Sequence, residues 1–176
     1  YKSVFAVILG TGVGAGYSVN KKIIVGPNKL TGEWGQNPIP GPMDEYEKSV
    51  KRHCGRVGAV EVFLSGPGLE NYYEHITKTK ISSRDIVSLY RENDLVAGEV
   101  MDVYFERIAR SFSTFVNILD PDVIVCGGGM SEIDEIYDEV PNRIIPYIAS
   151  NFFLTPIVKA THGSSSGVRG AAHLWN

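Results

Sequence analysis

Two stretches decide the fold: Ser3-Val-Phe-Ala-Val-Ile-Leu-Gly-Thr-Gly-Val-Gly14 and Asp122-Val-Ile-Val-Cys-Gly-Gly-Gly129. Each is a short, nearly continuous apolar run, the pattern of a buried strand, and each runs into glycines that let the backbone turn sharply. Working outward from the first, Ala15 to Asn20 and Ile23 to Val25 read as a hairpin around the polar turn Asn20-Lys21-Lys22. Residues 26–60 are rich in glycine and proline and show no sustained period, too long for a plain connector and expected to be a functional excursion. Helical periodicity follows over Leu69–Ile76, over Arg84–Tyr90 with Ser82 or Ser83 as N-cap, and most strongly over Leu95–Leu119. In that last stretch Met101, Tyr104, Phe105, Ile108, Phe112, Phe115 and Leu119 recur at spacings of three or four until Pro121 stops the pattern.

Outward from the second stretch, a helix is expected from about Ser131 to Ala149, then a strand over Pro156–Ala160 and a closing helix from about Gly167 to Trp175. Strands that alternate with helices and lead into glycine turns predict an α/β sheet with ligands at the strand ends. The chain has 176 residues, 43% apolar and 21% charged, enough apolar material for a core and too little charge for a disordered chain. Lys and Arg number 17 against 20 Asp and Glu, a net charge of −3, so no basic excess speaks for nucleic acid. Two cysteines without paired spacing, Cys54 and Cys126, suit a reducing cytoplasm, and no apolar run reaches the roughly 20 residues needed to cross a bilayer. Tyr1, not Met, opens directly into the first strand, which reads as a piece of something longer.

Gly10-Thr11-Gly12-Val13-Gly14 after a strand can turn its N–H groups toward a phosphate, or can simply serve a tight hairpin. It is neither a Walker A loop nor a dinucleotide fingerprint, since no Gly-Lys-Ser/Thr is present and a hairpin follows. Gly127-Gly128-Gly129 at a strand–helix junction is either a second nucleotide contact or a turn needing small residues for close packing. In Gly32-Glu33-Trp34-Gly35-Gln36, Glu33 can accept sugar hydroxyls, or Trp34 can plug the core beside a solvated carboxylate. His53-Cys54 does not amount to a zinc site, which wants four closed ligands. Cys126 reads as a small buried hydrophobe and Asn93-Asp94 as a helix cap, while His75 reads as a surface or half-buried residue and His162 and His173 have no evident partner.

The order of these motifs is more specific than any one of them. Gly-Thr-Gly-Val-Gly, Gly-Glu-Trp-Gly, Cys54-Gly-x-x-Gly, Glu61-x-Phe63-x-Ser65-Gly66 and Leu119-Asp-Pro-Asp-Val-Ile-Val before Gly127-Gly-Gly together resemble the ROK family of sugar kinases and repressors over nearly the whole chain. The tail from His162 to Ala172 looks most like the fructokinase or mannofructokinase branch. The resemblance implies the actin-like, ribonuclease H-like ATPase fold, with residues 1–176 as the C-terminal lobe and the N-terminal lobe absent. It implies an ATP-dependent hexokinase or fructokinase using Mg²⁺, as a homodimer, with a hexose and ATP as small-molecule partners; alternatives are the effector-binding lobe of a sugar-sensing repressor and a non-catalytic paralogue. By the same resemblance, Gly10, Thr11, Gly12 and Gly14 contact phosphates, Gly127, Gly128 and Gly129 the adenosine side, and Glu33, Gln36 and Glu61 the sugar. The family's Asp-x-Gly-Gly-Thr loop and its Asp-Ala-Asn segment, with the catalytic base, have no counterpart in the chain, so no catalytic residue is expected here. Its zinc ligands, one His and three Cys, are matched by Gln36, Arg52, Cys54 and Ala59, so bound zinc is not expected.

Overall fold

A computed structural model describes residues 1–172. The elements in chain order are β1 (Ser3–Leu9), β2 (Val13–Val19), β3 (Lys22–Ile23), α1 (Glu45–Ser49), α2 (Glu61–Leu64), α3 (Gly66–Thr77), α4 (Ser83–Arg91), α5 (Leu95–Leu119), β4 (Val123–Gly127), α6 (Glu135–Arg143), β5 (Ile157–Lys159) and α7 (Ser166–Ala172). The strands form one mixed sheet in the order β3-β2-β1-β4-β5; β1 pairs antiparallel with β2 and parallel with β4, and β4 pairs parallel with β5. Everything from β2 to α5 therefore lies within one crossover between the parallel neighbours β1 and β4.

Helix α5 is the axis of the core. Asp94 caps its start, its carboxylate accepting from the Ala97 N–H at 2.8 Å, and Asp120, at φ 41°, ends it before Pro121. At 25 residues it runs roughly 37 Å, long enough to pack against the sheet and against helices on either side. Phe115 stacks on Phe5 of β1 at 4.0 Å between ring centroids, and Trp34 meets Phe112 and Phe115 edge-on at 5.9 and 5.4 Å. The β1 run alternates, contrary to the fully buried strand its composition predicts: Phe5, Val7 and Leu9 are buried, whereas Ile8 is 39% exposed. Only the α5 side of the sheet is densely covered there.

The 26–60 excursion is tied to α5 by buried charge. Arg107, 2% exposed, donates from Nε to Glu47 Oε1 at 2.9 Å, and Glu47 is 1% exposed. Arg110 adds bonds to both Glu47 oxygens at 3.2 and 3.3 Å and to the Pro40 carbonyl at 2.6 and 2.8 Å. The Arg107 guanidinium also lies over the Tyr72 ring at 4.2 Å. Glu47 further closes a capping box with Asp44 at the start of α1. Two such short helices, α1 and α2, occur in segments where no helix is evident from periodicity, because four or five residues are too few to show one.

Expected and observed elements differ most after β4. In place of one helix from Ser131 to Ala149 there is a 3₁₀ turn over Gly129–Glu132, then α6, then a second 3₁₀ turn over Ile145–Tyr147. Pro141 lies inside α6 and Pro146 in the turn, and each lacks the N–H that a continuing helix needs. Helix α3 begins earlier than expected, at Gly66, because Ser65 accepts from the Gly68 N–H and Pro67 sits in the first turn. Ser82 caps α4 as expected. The closing helix is seen over Ser166–Ala172, and its expected end at Trp175, like His173, lies outside the described residues. Among the described residues no helix is long and apolar enough to cross a membrane.

Candidate functional site

Because Ile8 pairs with Gly127 in register, the two glycine turns emerge side by side from the ends of β1 and β4. The Gly10 N–H donates to the Gly12 carbonyl at 3.0 Å and closes the first turn. In the second, Gly128 has φ 89°, and a Cβ there would run into the Leu9 carbonyl, so glycine is the residue that lets the turns touch. A cavity of about 700 Å³ opens at this junction, lined by Gly10, Thr11 and Gly129 together with Gly66 and Pro67 from the start of α3. The Gly66 N–H donates to the Gly10 carbonyl at 2.8 Å and fixes the helix start against the first turn.

The far walls come from α4 and from the 3₁₀ turn Gly129–Glu132 with Ile133 after it. Ser83 and Arg84 line the cavity at the start of α4, where the Ser83 N–H donates to the Glu70 carboxylate at 2.9 Å. Arg91 closes one side through a two-pronged pair with Glu135, at 2.7 and 2.9 Å, and that guanidinium holds the Glu135 carboxyl below its ordinary range. Backbone turns, two helix starts carrying positive partial charge, Arg84 and Arg91 share this lining with the carboxylates of Glu70 and Glu132. The space beside Gly129 is open, since a Cβ there would meet nothing within 4 Å, which fits backbone N–H groups approached by a phosphate or ribose.

A second cavity, of about 790 Å³, lies between β1, β2, the end of α5 and the 3₁₀ turn Glu33–Gln36. Glu33 and Gln36 both line it, with Asn37, Thr31 and Arg56 as further polar groups. Trp34 is buried on Phe112 and Phe115 and Glu33 beside it is exposed, as the core-plug reading expects. The Trp34 Nε1 donor is buried and has no hydrogen-bond partner among the described residues.

Glu61 does not line this cavity. It stands at the start of α2, where Oε1 accepts from Arg52 Nε at 3.0 Å and Oε2 from the Val13 N–H at 3.3 Å. On the other side of Val13, the backbone of Gly35, between Glu33 and Gln36 in sequence, packs against its carbonyl. Of the residues expected at the nucleotide, Gly10, Thr11 and Gly129 line the first cavity and Gly127 and Gly128 shape its turn. Gly12 lies beside Glu61 and Gly14 near the Gly32 carbonyl, both away from the cavity lining.

Among the described residues no group of three or more His, Cys, Asp or Glu is placed to hold a metal. Residues 51–59 are held by backbone bonds such as Arg52 N–H to the Arg56 carbonyl at 2.8 Å, with Cys54 exposed and Ala59 buried. The Arg56 N–H and the Arg52 guanidinium hold the Cys54 thiol below its ordinary range, whereas burial pushes Cys126 up to about 12. An aromatic disulfide reagent near pH 7 is therefore expected to titrate Cys54 quickly and Cys126 only on unfolding. Equal rates at the two thiols would contradict the burial of Cys126.

Compared with known proteins, residues 1–176 match the model described as the ROK family. The chain belongs to the ROK family. It is 38% identical over 176 residues to the N-acetyl-D-glucosamine kinase of Vibrio atlanticus (strain LGP32), covering 98% of this chain and 58% of that protein. The ROK family glucokinase from Streptomyces griseus, solved in complex with glucose and AMPPNP, superposes with a TM-score of 0.84 at 21% identity, over 99% of this chain and 60% of that one. The ROK hexokinase from Thermus thermophilus gives 0.82 at 21% identity, over 97% and 56%. The fold is that of the ROK kinases, the actin-like ATPase fold, and the chain spans under two thirds of the length of these relatives.

Several residues of this ROK chain that line the first cavity had no motif to reveal them. Ser83, Arg84 and Arg91 lie on α4, whose sequence reads as an ordinary surface helix. The available signal was Ser65-Gly-Pro67, a cap followed by proline, which marks a helix start directed at the same junction as the glycine turns.

Proposed function

We infer that, in the complete protein, this chain is the C-terminal lobe of an ATP-dependent sugar kinase. The observation that carries the reading is the meeting of two glycine turns with the start of α3 around one cavity, with Glu33 and Gln36 lining a second cavity and Glu61 accepting from the Val13 N–H within the first turn's Gly10–Gly14 stretch. The relatives named as N-acetyl-D-glucosamine kinases and the likeness to a glucokinase crystallised with glucose and AMPPNP support it. In this reading Gly10, Thr11 and Gly129 hold the nucleotide through backbone N–H groups, with Gly12 and Gly14 setting the path of the first turn and Gly127 and Gly128 that of the second. Glu33 accepts sugar hydroxyl bonds, Gln36 donates or accepts through its amide, and Glu61 contributes lone pairs from the start of α2. Mg²⁺-bound ATP supplies the γ-phosphoryl group, and the chain's own contribution is positioning and charge stabilisation.

An N-acetylated hexosamine is the first substrate to try, because the 38% identical relative is named for one; fructose, which the tail from His162 resembles, is the second. The base that activates the sugar hydroxyl belongs to the other lobe. The protein acts in the cytoplasm, as a homodimer and without structural zinc. The test is a coupled assay of the full-length protein on N-acetylglucosamine, glucose, mannose and fructose. Glu33→Ala is expected to raise the sugar KM roughly ten- to hundredfold, the equivalent of about 1.5–3 kcal/mol for hydrogen bonds to a charged group, with the ATP KM unchanged. A lowered melting temperature with an unaltered sugar KM would assign Glu33 to the fold alone, and no turnover on any sugar would refute the kinase reading.

A further inference from the structure

Glu61 has a neighbour that neither a glycine turn nor a sugar motif accounts for. Arg52 Nε donates to Glu61 Oε1 at 3.0 Å, with the two side chains 17% and 23% exposed, so the pair is neither free in solvent nor sealed. Arg52 is itself constrained. Its N–H donates to the Arg56 carbonyl and its carbonyl accepts from the Gly55 N–H, both at 2.8 Å, while Lys51 and Val57 pair across the turn. Its Nη1 reaches Cys54 Sγ at 3.6 Å, which keeps the guanidinium from swinging away.

The other carboxylate oxygen is fixed from the opposite side. Oε2 takes the Val13 N–H, and a Cβ at residue 12 would come within 2.9 Å of that oxygen, so glycine at 12 gives the carboxylate room to reach the backbone. A carboxylate offers about four lone-pair sites, and two are used here. The remaining two keep a direction set by Arg52 and Val13, and Val13 continues the turn whose Gly10 and Thr11 line the first cavity.

We propose that Arg52 is a positioning residue: by clamping Oε1 it orients Glu61 so that its free lone pairs meet the sugar, and it locks the sugar side to the Gly10–Gly12 turn. This rests on the sugar-kinase reading and on Glu61 as a sugar ligand. Arginine suits the task because its guanidinium is planar and permanently charged, so Nε holds Oε1 while Nη1 reaches Cys54.

The experiment is steady-state kinetics and calorimetric sugar binding on the full-length enzyme, with Arg52→Ala, Arg52→Lys and Glu61→Ala compared with the parent, and melting temperatures measured alongside. Arg52→Ala is expected to raise the sugar KM roughly ten- to hundredfold, the effect of misplacing one binding group, with the ATP KM unchanged. Arg52→Lys is expected to recover most of that loss, since an ammonium restores the charge but not the fork. If Arg52→Ala lowers the melting temperature while sugar KM and calorimetric affinity stay at the parent values, Arg52 is structural and the proposal is overturned. If Glu61→Ala also leaves sugar affinity unchanged, or the parent turns over no sugar, the underlying reading fails and the proposal with it. Loss in Glu61→Ala without loss in Arg52→Ala isolates the failure to Arg52.

Discussion

Glu47→Ala is expected to destabilise the fold by about 3–5 kcal/mol, the range for removing one partner from a buried ion pair. The value follows from what remains after the substitution. Arg107 would keep its charge at a position only 2% exposed, with aromatic rings on one side and no carboxylate within the buried shell. Asp44 reaches Arg107 Nη2 only at 3.5 Å and is half-exposed, so it cannot take over. Arg110 would lose both of its Glu47 bonds, and α1 would lose the reciprocal half of its capping box. Since a domain is stable by about 5–15 kcal/mol in total, the variant is expected to be partly unfolded at moderate temperature. Denaturant titration of the parent, Glu47→Ala, and a paired Glu47→Leu/Arg107→Met variant checks this. The pair is expected to be less damaging than Glu47→Ala, because no unpaired charge stays buried at Arg107. A loss below about 1 kcal/mol in Glu47→Ala would show that water or a shift of α1 solvates Arg107, and that the anchoring of the excursion lies elsewhere.

This anchor also shows where the sequence could and could not be read. The alternation of strands, glycine turns and a long helix was legible because each is a local pattern: Ser3–Leu9 and Leu95–Leu119 have the bounds of β1 and α5 as read. The charges at Arg107 and Glu47 were not legible as core, because Arg and Glu usually face solvent and the two residues are 60 positions apart. The end of α6 short of Ala149 was signalled by Pro146, whereas Pro141 is accommodated inside α6 and the 3₁₀ turn over Gly129–Glu132 had no local signal in the apolar spacing. Within the site, Gly10 and Gly129 were visible as turns, but their adjacency depends on the parallel pairing of β1 with β4, a contact made across more than a hundred residues. The Gly-Glu-Trp-Gly motif drew attention to Glu33 and Gln36, and the two line one cavity. The orientation of Glu61 was not, since Arg52 had been noted only for the thiolate it replaces.

Residues 1–176 alone are expected to bind nucleotide yet to turn over sugar at least about 10⁵-fold more slowly than the full-length protein. Holding a sugar hydroxyl, a γ-phosphate and Mg²⁺ in line is worth roughly 7–11 kcal/mol when both walls of a cleft are present, and in the proposed two-lobe reading this chain supplies one wall. Loss of a general base in the other lobe removes about another 10²–10⁴-fold. The first cavity lies within this chain, which in that reading carries half of the nucleotide site, so weakened but measurable nucleotide binding is expected. The second cavity is rimmed by exposed Leu30 and Ile118, and with Ile23 and Val25 nearby in sequence to Leu30 the isolated chain is expected to self-associate at high concentration. Calorimetry with a non-hydrolysable ATP analogue, light scattering, and the coupled sugar assay on both forms measure the three effects on the same samples. Turnover by the short chain within about tenfold of the full protein would overturn the two-lobe reading, since 10⁵-fold is the least that positioning is asked to supply. The search for a catalytic acid would then move to Glu33 and Glu61, and to Asp94, whose carboxylate is otherwise engaged as the cap of α5.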